Sequence, residues 1–259
     1  MRQSNDNFPA STAADQAIRD NLVQLRQQIS SWSLAYGRDP DTVKLLAVSK
    51  TKPLQDIEVA LAAGQHDLGE NYLQEALEKI QMLATTSAQH PVSHPVWHPV
   101  WHYIGAIQSN KTRPIAEHFD WVHTVASSKV AARLSSQRPA GLAPLKILIQ
   151  VNIDAQDSKA GVSVEGLLPL LEAILPLPNI TLRGLMAIPK TAHDLDTQRR
   201  PFNHLRELLL QARQTYGADL AEFDQLSMGM SGDMEAAIAE GSTWLRIGTA
   251  IFGARPAQS

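Results

Sequence analysis

Lys50 closes an apolar run, LLAVSKTKP, at the point where a buried strand should emerge toward solvent. At the edge of a low-dielectric core a lysine amine is disfavoured in its charged form, and a neutral amine attacks carbonyl carbon to form a Schiff base. A strand-end lysine can also simply snorkel to water, so the reading depends on what converges with it. Two later stretches carry anion chemistry. In SMGMSGDMEAAI, Ser227, Gly229, Ser231 and Gly232 offer hydroxyls and unobstructed backbone amides ahead of a helical pattern, and in RIGTAIFG, Gly248 and Thr249 offer the same. Taken singly, Gly229 and Gly232 equally suit a tight turn, and Ser231 with Asp233 a helix cap. Arg246 sits inside an apolar strand pattern, where a guanidinium needs a partner: a ligand, or a carboxylate such as Glu70 or Asp233. Asn71, in LGENYLQ, suits a ligand hydrogen bond or a helix cap equally.

The elements that must position these residues follow from periodicity. After a polar start, 1–14, expected to fray, Ile18, Leu22, Leu25, Ile29, Trp32 and Tyr36 draw one apolar helical stripe, with Thr12 and Asp15 as a capping box and Gly37 as a stop. Short apolar runs then recur near 43–49, 67–69, 101–105, 121–125, 145–153, 180–188, 224–228 and 243–247, separated by helical patterns. In the clearest of those, Phe202, Leu205, Leu209, Ala212 and Tyr216 share a face, Pro201 falls in the first turn and Gly217 follows the end. KILIQVNI and TLRGLMAI are nearly unbroken in apolar residues, as strands of a parallel sheet covered on both faces should be. Eight such strands alternating with helices predict an α/β fold, a single (β/α)8 TIM barrel with an extra N-terminal helix. DLGEN, short and polar, is the weakest of the eight.

One segment breaks the rhythm. HPVSHPVWHPVWH sets His90, His94, His98 and His102 four apart, a spacing that would stack imidazoles on a helix and suggest a metal. Pro91, Pro95 and Pro99 oppose a helix, so 90–101 reads as an extended surface loop grown by duplication. Composition narrows the partners. A chain of 259 residues with 44% hydrophobic and 19% charged residues builds one sizeable core, and no linker divides it. A net charge of -3 gives no broad attraction for nucleic acid or anionic membrane. With no cysteine, thiolate and disulfide chemistry are excluded. Neither a membrane-length apolar stretch nor a signal-peptide core is found, leaving the cytoplasm as the default compartment, and with nothing that resembles a large exposed interface stripe a monomer is the expected state.

In a barrel of this kind ligands gather at the carboxyl ends of the strands, and phosphate is commonly held after strands seven and eight. The Ser227–Gly232 and Gly248–Thr249 loops fall there. Two phosphate loops beside a Schiff-base lysine suggest pyridoxal phosphate. On that reading Arg246 faces the pyridine nitrogen and keeps it unprotonated, weakening the electron sink, and Asn71 meets the ring hydroxyl.

LLAVSKTKP, LGENYLQEA, WHYIGAIQSNK, RGLMAI, SMGMSGDMEAAI and WLRIGTAIFGAR resemble, in order and spacing, the motifs of the pyridoxal phosphate homeostasis (proline synthetase co-transcribed) family over residues 15–255. The resemblance implies an alanine racemase N-terminal-domain-like barrel with pyridoxal phosphate as an aldimine on Lys50. It implies Arg246 at the ring nitrogen, Ser227, Gly229, Ser231, Gly248 and Thr249 around the phosphate, and Asn71, His102, Ile104 and Met186 on the cofactor face. Tyr103 stands where the family more often has phenylalanine, Gly232 where it often has a polar residue, and the repeat lengthens the loop before the third strand.

The expected function is carriage or buffering of pyridoxal phosphate in vitamin B6 homeostasis, with apo-enzymes as recipients, rather than catalysis. Racemisation requires acid/base groups on both faces of a carbanion, and only about ten residues follow the Arg246 motif. A pyridoxal phosphate-dependent amino-acid racemase is the alternative, with Tyr72, Tyr103 and the repeat histidines as candidate acid/bases. An aldolase-type barrel, in which Lys50 takes a carbonyl substrate directly, is a further rival.

Overall fold

The computed structural model describes residues 12–89, 98–156 and 159–254. After α1 (Ala13–Ala35) the chain alternates β1 (Lys44–Val48), α2 (Leu54–Ala62), β2 (Asp67–Glu70), α3 (Leu73–Gln89), β3 (Val100–Tyr103), α4 (Thr112–His118), β4 (Trp121–Val125), α5 (Ser128–Gln137), β5 (Leu145–Gln150), α6 (Leu167–Ile174), β6 (Ile180–Met186), α7 (Leu195–Tyr216), β7 (Gln225–Ser227), α8 (Met234–Ala239), β8 (Trp244–Ile247) and α9 (Thr249–Phe252). The strands close in sequence order into a barrel, every pair parallel, with β1 meeting β8 from Lys44↔Trp244 to Ala47↔Ile247. The eight strands and the extra N-terminal helix agree with the sequence reading.

Strand alternation divides the core in two. Leu45, Ala47, Leu68, Leu245 and Ile247 point outward and pack under the helices, whereas Leu46, Trp121, Leu148, Met186 and Trp244 pack inside the barrel. β2, the weakest strand by pattern, survives because Leu68, Gly69 and Glu70 are all buried and its one buried charge, Glu70, is paired with Lys79. β6 carries Gly184 at φ 150°, where a Cβ would lie 1.8 Å from the Gln225 carbonyl oxygen; only glycine lets β6 and β7 approach this closely.

At the N-terminus of α1, Thr12 and Asp15 form the expected capping box, and Gly37 follows its end at φ 67°. Four stripe residues are buried, and Trp32 and Tyr36 pack against the same core. The helix starts at Ala13, inside the stretch expected to fray, of which 1–11 lie outside the described residues. α7 begins at Leu195, where Asp194 caps the Thr197 amide at 2.8 Å. Pro201 therefore lies inside the helix rather than in its first turn, at the cost of a backbone hydrogen bond. Within the repeat, 90–97 lie outside the described residues; Val100, assigned to the loop by sequence, instead opens β3 with Trp101, the first residue of the expected third strand, whose ring is buried among the outer core.

Candidate functional site

At the carboxyl end of the barrel a cavity of about 400 Å³ is lined by Val48, Lys50, Asn71, Ile104, Met186, Ile188, Met230, Ser231, Gly232, Arg246, Gly248 and Thr249. Eight of the eleven residues singled out by sequence meet there: Lys50, Asn71, Ile104, Met186, Ser231, Arg246, Gly248 and Thr249. Strand alternation is the cause. Val48 and Lys50 continue the inward series of Leu46, Ile104 that of Val100, and Gly248 that of Trp244 and Arg246.

The turn that aims Lys50 is held from several sides. Thr51 adopts φ 62°, an uncommon conformation for a β-branched residue costing about 1–3 kcal/mol. Its amide donates to Glu75 Oε1 at 2.6 Å. On the other side of Lys50, the Ser49 hydroxyl donates to Glu70 Oε1 at 2.7 Å, and Lys79 Nζ donates to the Ser49 carbonyl, Glu70 and Glu75 at 2.8, 2.8 and 2.5 Å. Burial pushes the Glu70 carboxyl above its usual range, with Lys79 and Ser49 pulling it back. Two residues on, Lys52 Nζ reaches the carbonyls of Phe252, Gly253 and Ala254 at 2.9, 3.0 and 3.3 Å, tying the loop after β1 to the end of α9. Lys52, Lys79 and Glu70 escape sequence reasoning as site supports; the nearest signal was the crowding of charge into LGENYLQEALEK, whose partners lie on different elements.

Arg246 is buried and takes neither of the carboxylate partners considered for it: Glu70 pairs with Lys79, and the Asp233 carboxylate accepts from the Met230 amide at 2.5 Å. Its guanidinium donates instead to Ser227 Oγ at 2.8 Å and the Ala187 carbonyl at 3.0 Å. These contacts leave three of its five N–H donors. Burial lowers its pKa to about 10, against the pull of the nearby Asp233 charge.

Three sequence candidates are not in the lining. Ser227 is fully buried beneath Arg246 with its hydroxyl engaged by the guanidinium, so it supports that residue rather than presenting to an anion. Gly229, at φ 97°, is required because a Cβ would lie 2.5 Å from that of Ala237; it shapes the turn. His102 lies one inward position below Ile104, fully buried and stacked on Trp121 at 5.6 Å. The racemase candidates also fall elsewhere: Tyr72 and Tyr103 line a neighbouring hollow, where the Tyr103 hydroxyl donates to the Ala106 carbonyl at 3.0 Å. His90 and His94 lie outside the described residues.

A phosphorylated pyridine aldehyde fits the groups that line the cavity. The cavity has the size of a small-ligand site, with a primary amine from Lys50, guanidinium N–H groups from Arg246, and hydroxyls from Ser231 and Thr249. Asn71 supplies a buried Oδ1 with no hydrogen-bond partner among the described residues, an acceptor awaiting a donor.

Together, the closed parallel barrel and a lysine on the loop after its first strand define a (β/α)8 barrel with a strand-end amine at its ligand-binding mouth. The family model for the alanine racemase N-terminal domain matches residues 15–256. The pyridoxal phosphate homeostasis protein of Pseudomonas aeruginosa is 53% identical, over 92% of this chain and 96% of the relative. PipY of Synechococcus elongatus, solved with pyridoxal phosphate bound, superimposes with a TM-score of 0.75 at 34% identity, over 91% of this chain and 100% of PipY. The alanine racemase of Corynebacterium glutamicum stands further off, with a TM-score of 0.64 at 17% identity over 95% of this chain and 62% of the enzyme, a likeness of fold alone. The chain belongs to the pyridoxal phosphate homeostasis protein family.

Proposed function

We propose that this protein binds pyridoxal phosphate in the cavity at the carboxyl end of its barrel and acts as an intracellular carrier or buffer of the cofactor, with Lys50 as the tether. The observation that carries the reading is the convergence of the Lys50 amine, the Arg246 guanidinium and the Ser231 and Thr249 hydroxyls on one small cavity. The name of the Pseudomonas relative and the cofactor bound to PipY support it. Bound there, the cofactor supplies an aldehyde carbon that a primary amine captures reversibly with loss of water. Ser231, Gly232, Gly248 and Thr249 hold the phosphate, Ile104 and Met186 wall the ring, and Asn71 accepts from the ring hydroxyl. Arg246 donates toward the ring nitrogen. With a pKa about 10 it is a poor proton donor, so the nitrogen stays unprotonated and the ring stays a weak electron sink. That suits storage better than carbanion chemistry. Cytoplasmic action as a monomer, with apo-enzymes as recipients, completes the proposal.

The test is a visible spectrum with added pyridoxal phosphate, then borohydride reduction and peptide mapping. A yellow band with the reduced adduct on Lys50, lost in Lys50→Ala, is expected; adducts scattered over surface lysines would overturn the assignment. Deuterium exchange at the α-carbon of free amino acids separates carrier from racemase: none is expected, and exchange dependent on Lys50 would make the protein an enzyme.

A further inference from the structure

Behind Arg246 runs a continuous file of side chains along the barrel interior. Ser227 Oγ lies 2.9 Å from His123 Nδ1, His123 Nε2 lies 2.9 Å from His102 Nδ1, and His102 Nε2 lies 3.1 Å from Asp67 Oδ1. Ser227, His123 and His102 are fully buried. Asp67 is partly exposed and lines a second cavity, of about 460 Å³, near the opposite end of the barrel with Arg26, Lys44 and His66.

The chemistry of the two ends sets the direction of every hydrogen bond between them. Arg246 can only donate, so Ser227 Oγ accepts from it and turns its own proton to His123 Nδ1. An ionised Asp67 can only accept, so His102 donates from Nε2. His102 Nδ1 is then left to accept from His123 Nε2–H. Both imidazoles are thus neutral Nε2–H tautomers, and burial favours neutrality by holding both below their ordinary pKa. A file with a cation at one end, an anion at the other and one consistent polarity between them links Arg246, which makes no direct carboxylate pair among the described residues, to the Asp67 carboxylate.

We propose that Asp67, His102, His123 and Ser227 are positioning residues for Arg246, orienting its guanidinium in the cofactor cavity through one polarised hydrogen-bond file. The role toward the cofactor rests on the proposed function; the polarity of the file does not. Packing alone would require only ring shape, since His102 is sandwiched against Trp121 and meets Trp244 edgewise at 4.8 Å.

Long-range ¹⁵N NMR of the ligand-free protein is expected to find both histidines as Nε2–H tautomers, and an Nδ1–H or charged ring at either position would overturn the file. In the wild-type protein, pyridoxal phosphate capture on Lys50 is measured first; its failure would sink the functional reading and leave the NMR result standing. Given capture, Asp67→Ala should weaken cofactor binding about tenfold and shift the visible band. Asp67→Asn, which keeps the acceptor oxygen, should restore both. Ser227→Ala, at the other end of the file, should act like Asp67→Ala and serves in its place if that variant does not fold. Unchanged affinity and band in a folded Asp67→Ala or Ser227→Ala protein would overturn the positioning role.

Discussion

The two ends of the barrel interior are built from the same strands, and on several of them only two residues separate one character from the other. Trp244 plugs the amino end, and Arg246 reaches the cavity; His102 is sealed in a stack with Trp121, and Ile104 lines the cavity wall. The lower layer is aromatic, closed and roofed by cations, with Lys44 4.9 Å from the Trp244 ring centroid and Lys146 5.2 Å from that of Trp121. The upper layer holds an open cavity and an Asn71 Oδ1 with no hydrogen-bond partner among the described residues. The contrast teaches that one run of alternating side chains can hold the barrel together at one end and leave polar groups available for a ligand at the other.

Substitutions at the two ends should divide accordingly. Trp244→Ala should cost about 3–5 kcal/mol in urea unfolding, whereas Lys50→Ala should change stability by no more than about 0.5 kcal/mol; similar losses from both would erase the division. Glu70→Gln tests the boundary, because it strips a buried partner from Lys79 directly behind the Lys50 turn. It should cost about 3 kcal/mol and slow or diminish capture on Lys50, read by unfolding and by the visible band. The lower layer also carries a pH signature. Burial depresses the pKa of His102 and His123 in the folded state, so below about pH 6.5 the unfolded chain takes up protons that the fold refuses. Stability should therefore be fully present above that pH and fall on acidification, by up to about 1.4 kcal/mol per pH unit for each histidine. Urea titrations at several pH values should find a shallower fall in His123→Gln. At the upper end Thr249→Ala should weaken pyridoxal phosphate binding about fivefold without moving the adduct from Lys50, which equilibrium titration and peptide mapping would check.

Much of this was legible in the chain. The eight strands were marked by apolar runs, and even DLGEN paired once Glu70 found Lys79. Inward and outward positions along β3 and β8 were readable from a period of two, and counting back from Ile104 would have put His102 below the cavity. His123 had the same signal, two residues after the inward Trp121. Less legible were contacts joining distant elements. Nothing in KTKP says that Lys52 will meet three carbonyls beyond β8, and a serine in a glycine-rich loop reads as an anion donor until Arg246 is seen to occupy its hydroxyl. The start of α7 was obscured by Pro201, which ordinarily marks a first turn.

The grip of Lys52 on Phe252 joins residues 200 apart in sequence, and the cavity it borders takes Lys50 from the first strand and Arg246 from the last. During synthesis the first six strands can be made while the wall opposite Lys50 does not yet exist. Such distant closure is slow compared with local helix formation. On the proposed reading of the cavity, a truncated or unclosed barrel would expose Lys50 yet lack the Arg246 wall opposite it, so only a finished molecule would retain the ligand.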